Sequence, residues 1–242
     1  MSSTQKSTKR IAVIMCAWKR ARRFERTLQM LAGQDDLDFD FYVWNNNPEN
    51  NEHLDNVANS YQLPYKLTIH HSEENKKGFG RFYWAQQLTD DYDYFVFVDD
   101  DQDFGGDFIS TFREECNPNI ISGFWGSIYD KKSYWDHPSV NYPGTECHYM
   151  GTGGQICPSR VFKEEKFFTD IPDEFYWIED LWLSFYFMHF LGGKLIKSKN
   201  QLLFDYDGLD QTSATERVNT PQDKFLCYLY DTYGWLKGVI DG

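Results

Sequence analysis

The sequence lacks several features that mark secreted, membrane-spanning or zinc-binding proteins. Its 242 residues include only 5 cysteines, an odd number, widely spread and without a Cys-x-x-Cys pair. This distribution indicates neither a zinc site nor a disulfide framework, and it fits a reducing compartment. No apolar run approaches the length that spans a bilayer, and the polar start of the chain has no signal-peptide character. We therefore expect a soluble, cytoplasmic chain in which residues 1–9 form a disordered leader.

Basic residues are in the minority. Lys and Arg together number 24 against 37 Asp and Glu, which gives a formal net charge of −13. Nucleic-acid binding is driven by basic surfaces that release counterions, so no nucleic-acid partner is expected. One local cluster of positive charge is explained either by a phosphorylated small ligand or by a solvated helix face. It consists of Lys19, Arg20, Arg22, Arg23 and Arg26.

No internal repeat and no Pro/Ser-rich linker divides the chain, so we predict a single domain over residues 10–242. Short continuous apolar runs alternate with helical patterns in its first hundred residues. This alternation predicts an α/β fold with right-handed crossovers and a mostly parallel central sheet flanked by helices. The predicted strands are residues 11–16, 39–44, 65–70 and 94–98, and the predicted helices are residues 17–34, 52–60 and a helix that carries Arg81.

The later part of the chain has a different character, with irregular segments between fewer regular elements. We predict strands at residues 120–128 and 194–204, and an apolar helix at residues 175–190. Residues 130–145 and 149–158 are rich in aromatic residues and glycine, respectively, and are expected to form parts of a site.

The predicted strand at residues 94–98 runs directly into Asp99, Asp100 and Asp101. Acidic residues often make turns or cap helices at such places, and this remains the alternative. Three consecutive carboxylates repel each other, however, and a cation between them offsets that repulsion. Ligands of doubly wound sheets bind beyond the carboxyl ends of the strands, where this cluster falls. The sequence therefore predicts a site for Mg²⁺ or Mn²⁺, which prefer oxygen ligands.

Two other strand ends carry polar residues. Asn45 and Asn46 follow the predicted strand at residues 39–44, with turn chemistry as the alternative explanation. Asn75 and Gly78 lie in a loop that opens the helix carrying Arg81. Backbone N–H groups, the start of a helix and a guanidinium can converge on an anion at this place.

In their order along the chain, these elements resemble the GT-A glycosyltransferases, particularly the inverting family 2 type, over residues 11–214. The chain is also similar to glycosyltransferase domains of large algal viruses, which would place it in the host cytoplasm. The resemblance implies a nucleotide-sugar-binding half at residues 10–104 and a mixed acceptor and catalytic half at residues 105–215. Residues 216–242 are then expected to form a peripheral helix and tail.

The resemblance also assigns metal ligands. The family's DxD motif falls on Asp99, Asp100 and Asp101. Its last carboxylate typically coordinates Mn²⁺ or Mg²⁺, so Asp101 is the implied main ligand and Asp99 a second one. Many relatives carry a metal-binding histidine near the end of the domain, where this sequence has Asp205 and Asp207 as implied further ligands.

The family's acidic pair falls on Glu179 and Asp180 in the segment WIEDLWLS, and its second member, Asp180, is the implied general base. A buried acidic pair satisfied by backbone donors is the alternative. The implied donor-binding residues are Ala17, Trp18, Arg20, Asn45, Asn46, Asn75, Gly78 and Arg81, together with Asp99, Asp100 and Asp101. The residues implied for acceptor binding are Trp125, Gly153, Gly154 and Trp177.

The expected activity is metal-dependent, inverting transfer of a sugar from a nucleoside-diphosphate sugar, UDP-linked, to a hydroxyl of a glycan acceptor. A sugar nucleotidyltransferase is one alternative, although it should carry a glycine-rich, basic signature after its first strand. A non-catalytic carbohydrate-binding domain is another, but it leaves the consecutive aspartates unexplained.

Overall fold

The computed structural model describes residues 9–204 and 220–241. Its first half contains the strands β1 (Ile11–Ala17), β2 (Phe39–Asn45), β3 (Leu67–His71), β4 (Tyr94–Asp99) and β5 (Gln102–Phe104), and the helices α1 (Phe24–Ala32), α2 (Asn51–Asn59), α3 (Gly80–Gln87) and α4 (Phe108–Glu115). The second half contains the strands β6 (Ile120–Gly123), β7 (Gly126–Ser127), β8 (Ser139–Val140), β9 (Glu146–Cys147), β10 (Tyr149–Met150), β11 (Gln155–Pro158), β12 (Lys194–Lys197) and β13 (Leu202–Phe204), and the helices α5 (Glu165–Thr169), α6 (Glu179–His189), α7 (Pro221–Tyr233) and α8 (Lys237–Ile240).

Eight strands form the central sheet in the order β3-β2-β1-β4-β11-β6-β12-β9. The strands β3, β2, β1 and β4 are parallel, and β11 enters antiparallel between β4 and β6. Buried residues of α1, α2 and α4 cover one face of this sheet, while those of α3, α5, α6 and α7 cover the other. The predicted α/β fold with a mostly parallel sheet is confirmed.

The carboxyl ends of the first parallel strands meet at one edge of the sheet. In the register of β1 with its two neighbours, Ala17 lies beside Asn45 and Cys16 lies beside Asp99. These strands are continuous apolar runs because both of their faces are covered. The sheet therefore brings together polar residues that are distant in sequence.

The antiparallel strand β11 adds a segment from the second half of the chain to this edge. Gln155 at its start pairs with Phe97, two residues before the end of β4. Gly154 precedes it with φ +76°, a left-handed conformation that glycine adopts without strain. The glycine-rich segment predicted as irregular is therefore partly a strand, and it reaches the end of β4.

Other predicted boundaries differ from the structure, two of them because of contacts with distant parts of the chain. The predicted strand at residues 120–128 breaks at Phe124, whose N–H donates to the Gly154 carbonyl, and β7 then joins a separate sheet. The predicted strand at residues 194–204 is likewise two strands, because Ser198 and Lys199 turn to bind the carboxylate of Glu115. The predicted helix at residues 17–34 becomes α-helical only at Phe24.

The helix α7 is integral to the core, which corrects its prediction as peripheral. Phe225, Leu226 and Leu229 are fully buried in the same cluster as α6. The helix begins at a capping box formed by Thr220 and Asp223. Within the described ranges, no helix has both the length and the apolar character needed to cross a membrane.

Candidate active site

A cavity of about 510 Å³ opens at the carboxyl ends of β1, β2 and β4, and we call it the first cavity. It contains all three consecutive aspartates and most of the polar residues predicted at neighbouring strand ends. Its lining residues are Cys16, Trp18, Lys19, Arg20, Asn46, Asn75, Lys77, Gly78, Arg81, Asp99, Asp100, Asp101, Trp177 and Glu179.

Arg81 is the central cation of the first cavity. Its guanidinium donates from Nη2 to Asp99 Oδ1 at 2.8 Å and from Nε to the Gly78 carbonyl at 3.1 Å. Nη2 also lies 3.9 Å from Glu179 Oε1. The buried Nη1 has no hydrogen-bond partner among the described residues, although most buried polar groups have one. An anionic ligand in the cavity could provide that partner.

The other two aspartates are held by Arg20. Its Nη1 lies 2.9 Å from Asp100 Oδ1 and its Nη2 lies 3.4 Å from Asp101 Oδ2. Burial, together with the neighbouring Asp99, raises the pKa of Asp101 above its usual range. Negative charge at Asp101 is therefore only partly compensated by the protein itself.

The residues of the basic cluster lie in two different environments. Neither a phosphorylated ligand nor a solvated helix face accounts for all of them. Lys19 and Arg20 line the first cavity. Arg23 and Arg26, in contrast, both bind the carboxylate of Asp103, which lies just beyond the three aspartates. Arg23 also donates to the Asp100 carbonyl at 3.2 Å. These arginines fix the turn between β4 and β5.

The site predicted to bind a metal ion has few candidate ligand side chains, and they are carboxylates. Among the described residues, no group of three or more His, Cys, Asp or Glu side chains is arranged to hold a metal ion. Asp99 and Asp101 do line the same cavity. Two carboxylates suit Mg²⁺, which commonly takes one or two of them and fills its other positions with phosphate oxygens and water. Asp205 and Asp207 lie outside the described residues.

A second cavity, of about 610 Å³, adjoins the first. Asp99 and Glu179 line both cavities, whereas Asp180 lines only the second. The remaining lining residues are aromatic, hydroxyl-bearing or glycine: Trp125, Ser127, Tyr134, Trp135, His137, Ser139, Tyr149, Gly151, Thr152 and Gly153.

The acidic pair stands at the start of α6, between the two cavities. Glu179 accepts a hydrogen bond from Thr152 at 3.3 Å, and Asp180 accepts from Tyr134 and Tyr149. Burial and the neighbouring Asp180 raise the pKa of Glu179 to about 7. Burial also raises the pKa of Asp180, while the tyrosine hydroxyls act in the opposite direction. Glu179 is therefore poised to bind and release a proton near neutral pH, beside a second carboxyl whose pKa is also raised.

Two glycines allow this close arrangement. A Cβ atom on Gly78 would lie 1.8 Å from Glu179 Oε1, and one on Gly153 would lie 2.1 Å from Asp99 Oδ2. Both carboxylates thus pack directly against backbone. Gly153 acts here by making room for Asp99 at the border of the second cavity.

Comparison with solved structures identifies the fold that carries this site. S. aureus TarS 1–349 in complex with UDP-GlcNAc superposes with a TM-score of 0.57 at 15% sequence identity, covering 86% of this chain and 62% of that one. GalNAc-T7 with UDP, GalNAc and Mn²⁺ superposes with a TM-score of 0.63 at 11% identity, covering 92% of this chain and 48% of that one. Both are glycosyltransferases of the GT-A type.

The chain has the GT-A fold. It spans less than two thirds of either solved chain, which are covered to 62% and 48%. No protein-family model matches the sequence, and no curated protein matches it. At these identities the similarity extends to the fold alone.

Most of the residues predicted for the GT-A donor site do line the first cavity: Trp18, Arg20, Asn46, Asn75, Gly78, Arg81, Asp99, Asp100 and Asp101. Ala17 and Asn45 are buried beneath it, and the Asn45 amide binds Asn51 and the Asn47 carbonyl instead of facing the cavity. Lys77 also lines this cavity and was missed, although it stands inside the predicted anion-binding loop.

The predicted acceptor residues are divided. Trp125 and Gly153 line the second cavity, but Trp177 lines the first, with Lys77 Nζ 5.1 Å from its ring centroid. The turn before α6 directs Trp177 toward the loop that contains Lys77. Gly154 lines neither cavity and packs against Leu202.

The raised pKa of Glu179 makes stability depend on pH. Its pKa rises from 4.5 to about 7 on folding, so the folded chain binds this proton more tightly than the unfolded chain. The contribution of Glu179 to the free energy of unfolding is fully present below the pKa that Glu179 has in the unfolded chain. It is lost as the pH rises through about 7. We expect Glu179→Gln to stabilise the protein by about 2 kcal/mol at pH 8, with a smaller gain at pH 5.5.

Urea unfolding at these two pH values measures this difference. The control is Glu174→Gln, an exposed glutamate shortly before α6. A Glu179→Gln variant with the same stability difference from wild type at both pH values would contradict the assignment.

Proposed function

We propose that the protein is a metal-dependent inverting glycosyltransferase. It transfers a sugar from a nucleoside-diphosphate sugar, with UDP as the nucleotide, to a hydroxyl of a glycan acceptor. The observation that supports this most strongly is the position of the acidic pair. Glu179 lines both cavities and Asp180 lines the second, so a carboxylate that can accept a proton lies at the boundary between the two adjoining cavities.

The first cavity suits the donor. Trp18 is 43% exposed at its border and can stack on a base, while Arg81, Lys19 and Lys77 supply positive charge for a diphosphate. Solved structures of the same fold include TarS in complex with UDP, TarS in complex with UDP-GlcNAc, and GalNAc-T7 with UDP, so this fold accommodates uridine nucleotides in other proteins. We assign the nucleotide to this cavity for these reasons.

Asp99 and Asp101 are the residues that would hold Mg²⁺ or Mn²⁺ together with the diphosphate oxygens. The chemistry supplied by such an ion is neutralisation of the charge that develops on the departing nucleotide. Arg20 positions Asp101 through its Nη2 at 3.4 Å, and Arg81 positions Asp99. GalNAc-T7 with UDP and Mn²⁺ gives a solved example of this fold with such an ion.

The second cavity suits an uncharged saccharide acceptor. Trp125 is 42% exposed at this cavity, and Trp135 is a second indole in its lining. Such rings stack on the apolar faces of sugars. Among the described lining residues there are three carboxylates and no lysine or arginine. A phosphorylated or carboxylated acceptor would be repelled there, so the acceptor is assigned to the neutral glycans.

Asp180 is the base in this account. The acceptor hydroxyl loses its proton to Asp180 as its oxygen attacks the anomeric carbon, opposite the departing diphosphate. One displacement from the opposite face inverts the configuration at that carbon. Glu179, with its pKa raised to about 7, stays partly protonated at neutral pH and can donate a hydrogen bond to the transferred sugar.

Calorimetric titration with UDP, in Mn²⁺ and in chelator, tests the donor site. We expect binding that needs Mn²⁺ and that weakens at least tenfold in Asp101→Asn, because one metal ligand is lost. The control is Asp107→Asn, an exposed aspartate beyond the turn that follows β5. Absence of binding to UDP and to other nucleoside diphosphates, with and without Mn²⁺, would overturn the proposal.

A further inference from the structure

We propose that Tyr134 and Tyr149 are positioning residues that hold Asp180 in the orientation of a proton acceptor, and that helix α7 holds Tyr134 in place. This inference rests on the proposed function. Neither tyrosine belongs to the motifs that the sequence shares with GT-A enzymes, and both reach Asp180 from outside α6. Both side chains are buried, at 9% and 8% exposure.

The hydrogen bonds at Asp180 distinguish its two oxygens. Oδ2 accepts from the Tyr149 hydroxyl and lies 3.1 Å from the Tyr134 hydroxyl. Oδ1 accepts the Leu181 N–H at 2.7 Å. The two hydroxyls are also 2.9 Å apart, so Tyr134 donates either to Asp180 or to Tyr149. In both arrangements Oδ2 is engaged, and Oδ1 keeps a lone pair for the acceptor's proton.

The tyrosines oppose the effect of burial. A buried carboxylate beside Glu179 tends to take up a proton, which would remove it as a base. The hydrogen bond from Tyr149, joined by that from Tyr134 when it donates to Asp180, favours the ionised form of the carboxyl. Further charged or titratable groups lie near Asp180 and the two tyrosines. They are Glu179 beside Asp180, Arg81 from α3, Asp223 from α7, Tyr129 from the same aromatic cluster, and His137, whose ring lies 6.2 Å from those of Tyr134 and Tyr149.

The first turn of α7 holds the loop that carries Tyr134. Asp223 Oδ1 accepts the Tyr134 N–H at 2.8 Å, and Thr220 Oγ1 accepts from Trp135 Nε1 at 3.0 Å. Thr220 and Asp223 also form the capping box of the helix. Helix α7 is therefore linked to Asp180 through Tyr134.

The variants Tyr149→Phe and Tyr134→Phe test this role. Tyr129→Phe is the matched control, because Tyr129 is fully buried in the same cluster and its hydroxyl has no hydrogen-bond partner within the described ranges. We expect Tyr149→Phe to move the acidic limb of the kcat/KM profile upward by about one pH unit. The donor KM should stay unchanged, and Tyr134→Phe should show a smaller shift in the same direction.

A second measurement separates this inference from the proposed function. Neither tyrosine lines the first cavity, so calorimetric titration with UDP in Mn²⁺ reports on the proposed donor site alone. If no donor is turned over, ¹³C NMR of labelled aspartate carboxyls, assigned with Asp180→Asn, gives the Asp180 midpoint directly. We expect that midpoint to rise in Tyr149→Phe and not in Tyr129→Phe. Folded Phe variants with wild-type pH profiles and a wild-type Asp180 midpoint would overturn the inference.

Discussion

Asp180→Asn is expected to lower kcat by about 10³-fold while UDP binding in Mn²⁺ stays at the wild-type level. General bases typically contribute 10²- to 10⁴-fold, and an amide cannot accept the acceptor's proton. The substitution keeps the size of the side chain and an oxygen for the Tyr149 hydroxyl. Initial rates of UDP release, measured with saturating donor and acceptor, give this ratio.

Glu179→Gln is the comparison for this variant. Glu179 borders both cavities but is not assigned the proton transfer, so we expect a loss of only about tenfold. The reverse order, with Glu179→Gln inactive and Asp180→Asn active, would move the base to Glu179. An Asp180→Asn variant that keeps more than a tenth of the wild-type rate would contradict the mechanism.

Arg81→Met is expected to reduce the free energy of unfolding by about 3 kcal/mol and to abolish measurable UDP binding. Removing one partner of a buried ion pair costs 3–5 kcal/mol, because the other charge stays buried without compensation. The Arg81 side chain is 6% exposed and pairs with Asp99, whose side chain is 35% exposed, and more distantly with Glu179 at 14%. Because water compensates part of the charge on Asp99, the expected loss lies at the low end of this range. As the pH falls below about 7, Glu179 is protonated and the deficit should shrink.

The matched control is Arg113→Met, which also removes an arginine from a shielded pair. Arg113 is 13% exposed and binds Asp36, away from both cavities. This variant should lose stability and keep UDP binding. Urea unfolding and calorimetry on both variants separate the structural effect from the ligand effect. An Arg81→Met protein that binds UDP like wild type would contradict the assigned role.

The first half of the fold could be predicted because its strands are continuous apolar runs. The residues predicted as the first strand form β1, and the parallel register follows from the alternation of strands and helices. That register brings Asp99 to the level of Cys16, so the grouping of strand-end residues also followed from the sequence. Asn45 was placed at the correct edge, but its side chain is used within the protein.

The second half could not be predicted to the same degree, because long-range pairs determine it. Nothing local shows that Gln155–Pro158 inserts beside β4 or that Phe124 ends β6. Trp177, predicted to bind the acceptor, lines the first cavity and not the second, since its direction depends on the turn before α6. Tyr134 and Tyr149 carry no periodic or motif signal, and only the fold brings them to Asp180.

The position of the basic residues also bears on the alternative activities. A nucleotidyltransferase would use basic residues after its first strand for triphosphate binding. Here Arg23 and Arg26 both bind Asp103, and they support the turn that presents the aspartates. A binding module has no need for a carboxylate pair with raised pKa values at the boundary of two cavities. Both observations favour the transferase.

The transferase activity is tested by measuring UDP release from a panel of UDP-sugars with neutral oligosaccharide acceptors, in Mn²⁺ and in chelator. Asp180→Asn serves as the blank. We expect acceptor-dependent release from at least one UDP-sugar in Mn²⁺, with little release in chelator and from Asp180→Asn. Binding of UDP in Mn²⁺ without release above the blank, for every nucleoside-diphosphate sugar and acceptor tried, would contradict the proposed function.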